Sequence, residues 1–380
     1  MIKTVPLNFE NRISPKDLPK PIFRVGFASA DWSQGPTGFI PNGCTWYRCV
    51  LPAGQLNLNN IHASVGFLGA NGNGEFVIQR TDGVISEKND IIVLKVIMLK
   101  QALENFEKAK SLGQKIVVDI DDFFEGLHPT NFAHGSTDPE KFPENNRDIY
   151  MQIIDQSDAI IVSTPFLYDH YKQKCPGKPI FMIRNSIDIQ RYEPKKMQRR
   201  NPVIGWLGAV PWRSEDLEQL SGFFNTFLST RHVRFHHAGH VPWAAGAHSK
   251  LKINREFVSV SPMVPLSGLP TAYADFDIGI VPLNDIPFNQ AKSYIKGLEY
   301  AAAGVPFVAS ALPEYKFLAE NGVGRVARTE SEWIDNLDEL LLFKTRANEA
   351  EIQYEITKSK FSINSNANEW VDVFLKIMDL

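Results

Sequence analysis

Residues 276–310 decide the fold of this chain: FDIGIVPLNDIPFNQAKSYIKGLEYAAAGVPFVAS. The stretch opens with an apolar run at 276–283 and continues through a polar loop that contains proline. It then predicts a helix that begins near Ala291 and ends at Gly304, and a second apolar strand that contains Pro306, where the helix cannot continue. Strand, loop, helix and strand in this order form a βαβ unit, and open parallel sheets bind ligands at the carboxyl edge of such units.

The first turns of the predicted helix carry charged side chains. At about 100° per residue, Lys292, Lys296 and Glu299 fall on one stripe. Free backbone N–H groups, the positive end of the helix dipole and two ammonium groups suit a diphosphate. Glu299 is placed to accept hydrogen bonds from hydroxyls on whatever the phosphates carry. The alternative is an amphipathic helix whose charged face is solvated.

The same residues resemble the donor-site signature of GT-B fold glycosyltransferases, in the large retaining family (glycosyltransferase family 4-like) that uses nucleotide-activated sugars. That signature is a phosphate-facing Ser-x-x-Lys, a Glu on the ribose hydroxyls, small residues and Gly-x-Pro. The matching positions of this chain are Ser293, Lys296, Glu299, Gly304 and Pro306. The family's other acid, eight residues before the ribose Glu, is missing because that position is Ala291, which leaves the contact to the sugar ring unassigned.

The resemblance implies an α/β chain of two Rossmann-like domains that face a cleft, with a C-terminal helix that crosses back to the first domain. We expect an acceptor-side domain at 1–190 and a donor-nucleotide domain at 203–362. Between them, the charged stretch at 191–202 is bounded by proline and reads as a hinge linker. The amphipathic segment 363–380 is the terminal helix.

In the second domain, the loop after the first strand is the other predicted phosphate contact. Gly208 permits a tight turn there, and Arg213 is the only basic residue of the loop, with a planar guanidinium suited to phosphate. His240, at the end of the next strand, would line the nucleotide pocket. The predicted donor-binding residues are therefore Gly208, Arg213, His240, Lys292, Ser293, Tyr294, Ile295, Lys296 and Glu299.

In the first domain, a strand at 115–120 runs into Asp121 and Asp122, with Asp119 just inside it. Carboxylates at the carboxyl end of a parallel strand point toward the ligand side. Mutual repulsion would raise the pKa of at least one of them or favour a bound cation. Three interpretations stay open: a metal site, a contact or base for an acceptor hydroxyl, and an N-cap followed by a solvated turn.

Two further stretches predict the acceptor side. The run GCTWYRCVLP at 43–52 resembles the first loop of phage-encoded GT-B glycosyltransferases, which implies that Tyr47 and Arg48 face the cleft. The alternative is that Trp46 and Tyr47 anchor the core. His128, in the loop beyond the acidic residues, is a third candidate for acceptor binding.

Composition narrows the class of protein. The 380 residues have a formal net charge of −3, which gives no global attraction to nucleic acid or membrane, so a polyanion site would need a local patch. The three cysteines predict free thiols in a reducing compartment. No apolar leader or spanning segment is evident, so we expect a cytoplasmic protein, in the host cytoplasm if it is phage-encoded.

The predicted activity is transfer of a sugar from a UDP- or GDP-sugar to a hydroxyl, with retention of configuration and no bound metal. Lys296 and Arg213 would stabilise the leaving diphosphate, and Asp121 and Asp122 complete the predicted catalytic set. The acceptor implied by the resemblance is a hydroxymethylated pyrimidine in phage DNA, or alternatively a protein serine or threonine or a small molecule. A nucleotide-sugar epimerase and a non-catalytic nucleotide-sugar-binding protein are the rival classes.

Overall fold

The structure is a computed structural model that describes residues 21–35, 38–86, 88–198, 201–213 and 215–380. The first twenty residues of the predicted first domain lie outside this part of the chain. So do residues 199–200 of the predicted linker and Ser214.

The described residues form strands in two large sheets and one hairpin. In chain order the strands are β1 (Arg24–Ser29), β2 (Trp32–Gly35), β3 (Gly38–Pro41), β4 (His62–Ala70), β5 (Phe76–Gln79), β6 (Ile91–Lys95), β7 (Lys115–Ile120), β8 (Ala159–Val162), β9 (Ile180–Met182), β10 (Val203–Leu207), β11 (Arg234–His240), β12 (Val258–Pro262), β13 (Ile278–Val281), β14 (Phe307–Ser310) and β15 (Arg325–Ala327).

Helices lie between these strands and end the chain. They are α1 (Gly43–Thr45), which continues through a π-helical turn (Trp46–Val50) into α2 (Leu51–Leu58), α3 (Lys100–Ser111), α4 (Phe132–Ser136), α5 (Arg147–Gln156), α6 (Pro165–Lys174), α7 (Phe224–Arg231), α8 (Ala247–Lys250), α9 (Leu269–Ala272), α10 (Pro287–Gln290), α11 (Ile295–Ala302), α12 (Pro313–Glu320), α13 (Glu330–Leu341), α14 (Phe343–Lys360) and α15 (Ala367–Met378). Single 3₁₀ turns are at Phe124–Gly126, Ile189–Arg191, Val210–Trp212, Glu218–Leu220, Arg255–Phe257 and Leu266–Gly268. In the described part of the chain, no helix combines the length and the apolar character that crossing a membrane requires.

The chain forms two compact units, each built on one parallel sheet. The N-terminal unit contains the described residues up to Glu125, then Gly135–Asn185 and Ile363–Leu380. The C-terminal unit contains Gly126–His134 and Ser186–Ser362. The hinge role predicted for 191–202 stays a prediction.

Both sheets have the strand order of a doubly wound fold. The N-terminal sheet runs β5-β4-β1-β6-β7-β8-β9, parallel except for β5. The C-terminal sheet runs β12-β11-β10-β13-β14-β15 and is entirely parallel. In the second sheet the order reverses between β10 and β13, and such a switch point is where α/β sheets open a crevice at the carboxyl ends of their strands.

The βαβ unit predicted from residues 276–310 is present as β13, α10, α11 and β14. The predicted start of its helix near Ala291 is wrong. Residues 287–290 form a separate short turn that begins at a proline and closes with the bond from Ala291 N to Pro287 O. Helix α11 therefore begins at Ile295, and Lys292 lies on the connection before it rather than on the helical stripe.

The terminal helix belongs to the N-terminal unit, which confirms the predicted return of the chain. Helix α15 buries Trp370 and Phe374. The Phe374 ring meets the Phe27 ring edge-on at 5.7 Å, and the Arg48 guanidinium lies 4.8 Å from the centre of the Trp370 ring. Because a cation over an indole face is attracted by its quadrupole, this contact adds to the apolar burial of the helix.

The stretch 43–52, expected to be a loop, is helical, and its predicted acceptor role is wrong. Arg48 is fully buried, where its guanidinium binds the Asp119 carboxylate at 2.7 Å and donates to Ile183 O and Asn185 Oδ1. Tyr47 is only 5% exposed and belongs to the core. A guanidinium with its donors used inside the unit is not available to an acceptor.

Replacing Arg48 by methionine should lower the free energy of unfolding of the N-terminal unit by about 3–5 kcal/mol, because it leaves the Asp119 carboxylate buried without its main partner. The double variant Arg48→Met with Asp119→Leu should recover much of this loss. Urea denaturation followed by circular dichroism measures both. The matched control is Arg231→Gln, which breaks a half-exposed pair with Asp338 and should cost less than about 1 kcal/mol. A loss as small as the control's would contradict the assigned role.

Candidate functional site

The candidate site lies at the switch point of the C-terminal sheet. Lys296, in the first turn of α11, donates from Nζ to Leu207 O, the last residue of β10, at 2.5 Å. This bond brings the amino end of α11 against the carboxyl end of β10. The loop that begins at Gly208 and the helix predicted to hold phosphate therefore meet at one place.

Three cations gather there. The pKa of Lys296 is lowered to about 8, first by burial and then by repulsion from Arg213, while Glu299 acts in the opposite direction and Lys292 adds to the repulsion. Arg213 has a buried Nε with no hydrogen-bond partner among the described residues. Like charges held together and partly desolvated form a preorganised anion site, because a bound anion relieves both costs.

Glu299 is fixed one turn further along α11. It is 6% exposed, and its carboxylate accepts a hydrogen bond from the hydroxyl of Tyr273 at 2.6 Å. Tyr273 is fully buried, and burial raises the pKa of its phenol well above the usual value. The carboxylate is thus an oriented acceptor beside the cations.

The turn after β10 is held by a histidine that sequence reasoning did not assign to the site. His237 Nε2 donates to Gly208 O at 2.9 Å, and its Nδ1 accepts from Ala247 N at 3.3 Å. Burial lowers the pKa of His237 to about 4, so the ring is neutral. Gly239 has φ of +97°, and a Cβ there would lie 3.0 Å from Gly208 O. Only glycine fits this close approach, so the glycine at position 239 was the signal in the sequence that β11 packs tightly against the turn at Gly208.

Asp216 is a second residue whose role the sequence did not reveal. It is 3% exposed, and its Oδ1 accepts from Asn284 N at 3.0 Å and from Asn289 Nδ2 at 2.6 Å. Burial raises its pKa to about 6, against the opposing effect of these bonds and of Arg213. Asp216 therefore ties the loop after β10 to the loop after β13, on either side of the switch point.

The remaining predicted donor residues differ in what they can offer. His240 has a buried Nδ1 without a hydrogen-bond partner in the described part of the chain, and its ring lies 5.8 Å from His237. Tyr294 is 2% exposed and stacks on Phe317 at 6.1 Å, so its side chain belongs to the core. Ser293 and Ile295 flank it at the start of α11 and are half-buried.

The acidic residues after β7 lie in the N-terminal unit and are paired with cations. Lys95, almost fully buried, contacts Asp119 at 3.3 Å and forms an ion pair with Asp121. Although burial opposes it, attraction to Lys95 and Arg48 holds the pKa of Asp121 below its usual value. The expectation that repulsion raises a pKa in this group is therefore not met at Asp121, and a carboxylate so stabilised is a weak base.

A ligand set for a metal ion can be drawn at the same edge. The ligand atoms of Cys44, Asp121 and Asp122 lie within 4.8 Å of one another. The Lys95 ammonium already neutralises the Asp121 carboxylate. Burial and the neighbouring carboxylates raise the pKa of the Cys44 thiol well above its usual value. Both effects work against a divalent cation at this place.

His128 belongs to the segment Gly126–His134 of the C-terminal unit, whereas these acids belong to the N-terminal unit. Its Nδ1 makes a hydrogen bond with Thr130 Oγ1 at 2.8 Å. The structure thus brings Gly208, Arg213, His240, Lys292, Lys296 and Glu299 together in the C-terminal unit. It places Asp121 and Asp122 in the other unit.

Comparison with solved structures finds this fold in glycosyltransferases. Over 94% of this chain and 99% of the other, it is similar to sucrose-phosphate synthase from Thermosynechococcus elongatus, with a TM-score of 0.64 and 12% identity. A glycosyltransferase from Rickettsia africae ESF-5 is similar over 95% of this chain and 99% of that one, with a TM-score of 0.62 and 11% identity. Anabaena HepE, crystallised with UDP-glucose, is similar over 93% of this chain and all of HepE, with a TM-score of 0.58 and 14% identity.

The chain therefore has the two-unit α/β fold of these glycosyltransferases, called GT-B. At such low identity the likeness concerns the fold alone. No family model matches the sequence, and no curated protein matches it.

Asp216 gives the C-terminal unit a pH-dependent stability. Because its folded pKa of about 6 is above the unfolded value, the folded state holds the proton more tightly, and stability falls as pH rises from about 4 to about 6. We expect Asp216→Asn to remove this fall, a difference of about 1–3 kcal/mol. Urea midpoints across that range test it, with the exposed Asp285→Asn as control. Parallel pH profiles for Asp216→Asn and the wild type would contradict the assignment.

Proposed function

We propose that this protein is a glycosyltransferase that moves a sugar from a nucleoside diphosphate sugar to an acceptor hydroxyl. The observation that carries the proposal is the cluster of Arg213, Lys292 and Lys296 at the amino end of α11, next to the end of β10. Helix amino ends and clustered cations bind diphosphates. That HepE, with the same fold, was crystallised with UDP-glucose supports a UDP-sugar as the donor.

The reaction would proceed as follows. The bond between the anomeric carbon and the phosphate oxygen breaks, and the nucleoside diphosphate leaves with the electron pair. The acceptor oxygen forms the new glycosidic bond, and its proton passes to the departing phosphate oxygen. Lys296 and Arg213 stabilise the charge that develops on the diphosphate. Attack from the side of the leaving group gives retention of configuration, as the resemblance of the α11 region implies.

Glu299 would hold the ribose of the donor. Its carboxylate is oriented by Tyr273 and lies on the helix whose first turn is proposed to bind the phosphates. Ribose hydroxyls are donors that a carboxylate accepts well. The spacing of one helical turn between Lys296 and Glu299 fits a nucleoside attached to a diphosphate.

We propose that the reaction needs no metal ion. Two ammonium groups and one guanidinium supply the positive charge that a divalent cation provides at other diphosphate sites. Activity of the purified protein should persist in EDTA and should not rise with added magnesium or manganese.

The acceptor proposed from the resemblance is a hydroxymethylated pyrimidine in DNA or a protein hydroxyl. Asp119, Asp121 and Asp122 line the carboxyl edge of β7, and Lys95 and Arg48 are committed to ion pairs with the first two. Because these two described cations already neutralise carboxylates, they contribute little to binding a phosphate backbone, which favours an acceptor without phosphates. DNA binding that weakens steeply with salt would reverse this preference.

A non-catalytic nucleotide-sugar-binding protein is the second candidate, because Ala291 stands where the resembled family has an acid. Slow hydrolysis of a UDP-sugar without any acceptor separates the two, since a binding protein leaves the donor intact. A nucleotide-sugar epimerase would instead convert the donor sugar with no acceptor present.

Affinity for UDP should depend on the protonation of Lys296. Only the ammonium attracts the diphosphate, so UDP should bind progressively more weakly as pH rises above about 8. Lys296→Arg keeps its charge and should bind UDP without this decline, which isothermal titration calorimetry between pH 7 and about 9.5 can measure. An equal decline in both proteins would assign the effect to another group.

The rate should respond to the same residues. We expect Lys296→Ala to lower kcat/KM for the donor at least a hundredfold, roughly 3 kcal/mol, because it removes a preorganised contact to the leaving diphosphate. Glu299→Gln should act mainly through KM for the donor. Neither variant should lower the melting temperature by much, since the charged Lys296 is desolvated and repelled in the free protein. Wild-type kcat/KM in both variants would refute the site.

A further inference from the structure

Three aromatic side chains form an exposed cluster in the C-terminal unit. Phe132 contacts Trp212 with ring centres 5.2 Å apart and Trp243 at 5.7 Å, and the two tryptophans lie 5.9 Å apart. We call this cluster the aromatic platform. Phe132 is 53% exposed and Trp243 is 62% exposed. Large aromatic groups that remain this exposed mark an interaction surface more often than a stabilising core.

The platform is assembled from three separate segments that the fold holds in place. Phe132 comes from the segment Gly126–His134, Trp212 from the loop after β10, and Trp243 from the loop after β11. Asn131 Nδ2 donates to Trp212 O at 3.2 Å, which fixes the first segment on the second. The platform is therefore a surface patch of contiguous aromatic rings and not a set of scattered exposed residues.

A cavity of about 240 Å³ opens beside the platform. Thr130, Pro211, Arg213, Ala244 and Lys250 are among its lining residues. The cavity and the platform share chain segments, because Trp212 lies between Pro211 and Arg213 and Trp243 directly precedes Ala244. Because Arg213 is also one of the proposed diphosphate contacts, a donor bound there would have its phosphates next to the cavity. Its volume is below that of a drug-sized pocket and suits one sugar ring.

We propose that the cavity and the aromatic platform bind a saccharide acceptor. This inference rests on the proposed glycosyltransferase function and names the acceptor class. The faces of aromatic rings carry partial negative charge, so the C–H face of a pyranose ring stacks on them favourably. The Thr130 hydroxyl and Arg213 provide hydrogen-bonding groups for the ring hydroxyls.

The charges at this surface favour a saccharide over a nucleic acid as the ligand. Surfaces that stack nucleobases combine aromatic rings with a basic groove that follows the phosphates. Here Lys250 is paired with Glu218 at 2.6 Å, and Glu215 lines the same cavity as Arg213. The charged lining residues are thus of mixed sign and do not form the continuous basic groove that a phosphate backbone follows, which favours an uncharged polyol.

The extent of the platform favours an acceptor, and not the sugar of the donor, as its ligand. A donor sugar is a single ring joined to the diphosphate and fills the cavity alone. Phe132 and Trp243 are more than half exposed, and neither is among the residues that line the cavity. An acceptor of two or more linked sugar rings covers both the cavity and the platform.

Titration of the intact protein with maltotetraose, cellotetraose and chitotetraose, in the presence of UDP, tests this inference. The tryptophan fluorescence should change to saturation with at least one of these oligosaccharides. Trp243→Ala and Phe132→Ala should each weaken binding about fivefold to tenfold, whereas Trp243→Tyr should bind nearly as well as the wild type. With a UDP-sugar donor, both alanine variants should raise KM for the oligosaccharide more than they lower kcat.

Phe142→Ala, at an exposed aromatic residue of the N-terminal unit, is the matched control and should leave oligosaccharide binding unchanged. The inference fails if no oligosaccharide alters the fluorescence, if the alanine variants bind like the control, or if single-stranded oligothymidylate binds instead and loses affinity in Trp243→Ala. It also fails if UDP-glucose alone reproduces the whole fluorescence change, which would assign the platform to the donor sugar. Failure of the proposed function is distinct, because the wild type would then neither bind UDP nor hydrolyse a UDP-sugar.

Discussion

The candidate site depends on one constraint, the repulsion between Lys296 and its neighbouring cations. The fold holds Lys296 against the end of β10. The protein keeps these charges partly desolvated, which lowers the pKa of Lys296 to about 8. The hydrogen bond to Leu207 O keeps Lys296 in place, and Glu299 offsets only part of the effect of burial and of the neighbouring cations. His237 fixes the turn at Gly208, and Asp216 fixes the loop that carries Arg213, so the surroundings maintain this unfavourable arrangement. The site is prepared for an anion before one arrives.

Much of the fold could be predicted because its signals are local. The apolar runs around 276–310 and the Gly-x-Pro after the helix fix a βαβ unit without knowledge of distant contacts. The start of α11 could not be placed, because the turn at Pro287 interrupts a pattern that is periodic in sequence. Lys292 consequently reaches the site from a connection and not from a helix face.

The failed predictions about Arg48 and Asp121 concern residues whose partners are far away in sequence. Nothing around Arg48 indicates that Asp119, 71 positions later, takes its charge, and nothing around Asp121 indicates Lys95. The roles of His237 and Asp216 were not predicted for the same reason, because they depend on hydrogen bonds with Gly208 and Asn284. Residue type and spacing find groups that act together within one helix, but they do not reveal long-range pairing.

The return of helix α15 to the N-terminal unit has a consequence for how the protein is made. Trp370 lies under the buried Arg48, so the N-terminal unit lacks part of its core until residues 363–380 leave the ribosome. The C-terminal unit, whose described segments all precede them, can complete its packing first. During synthesis the order of maturation is therefore the reverse of the order of the sheets along the chain, and part of the core of the N-terminal unit stays uncovered until helix α15 has been made.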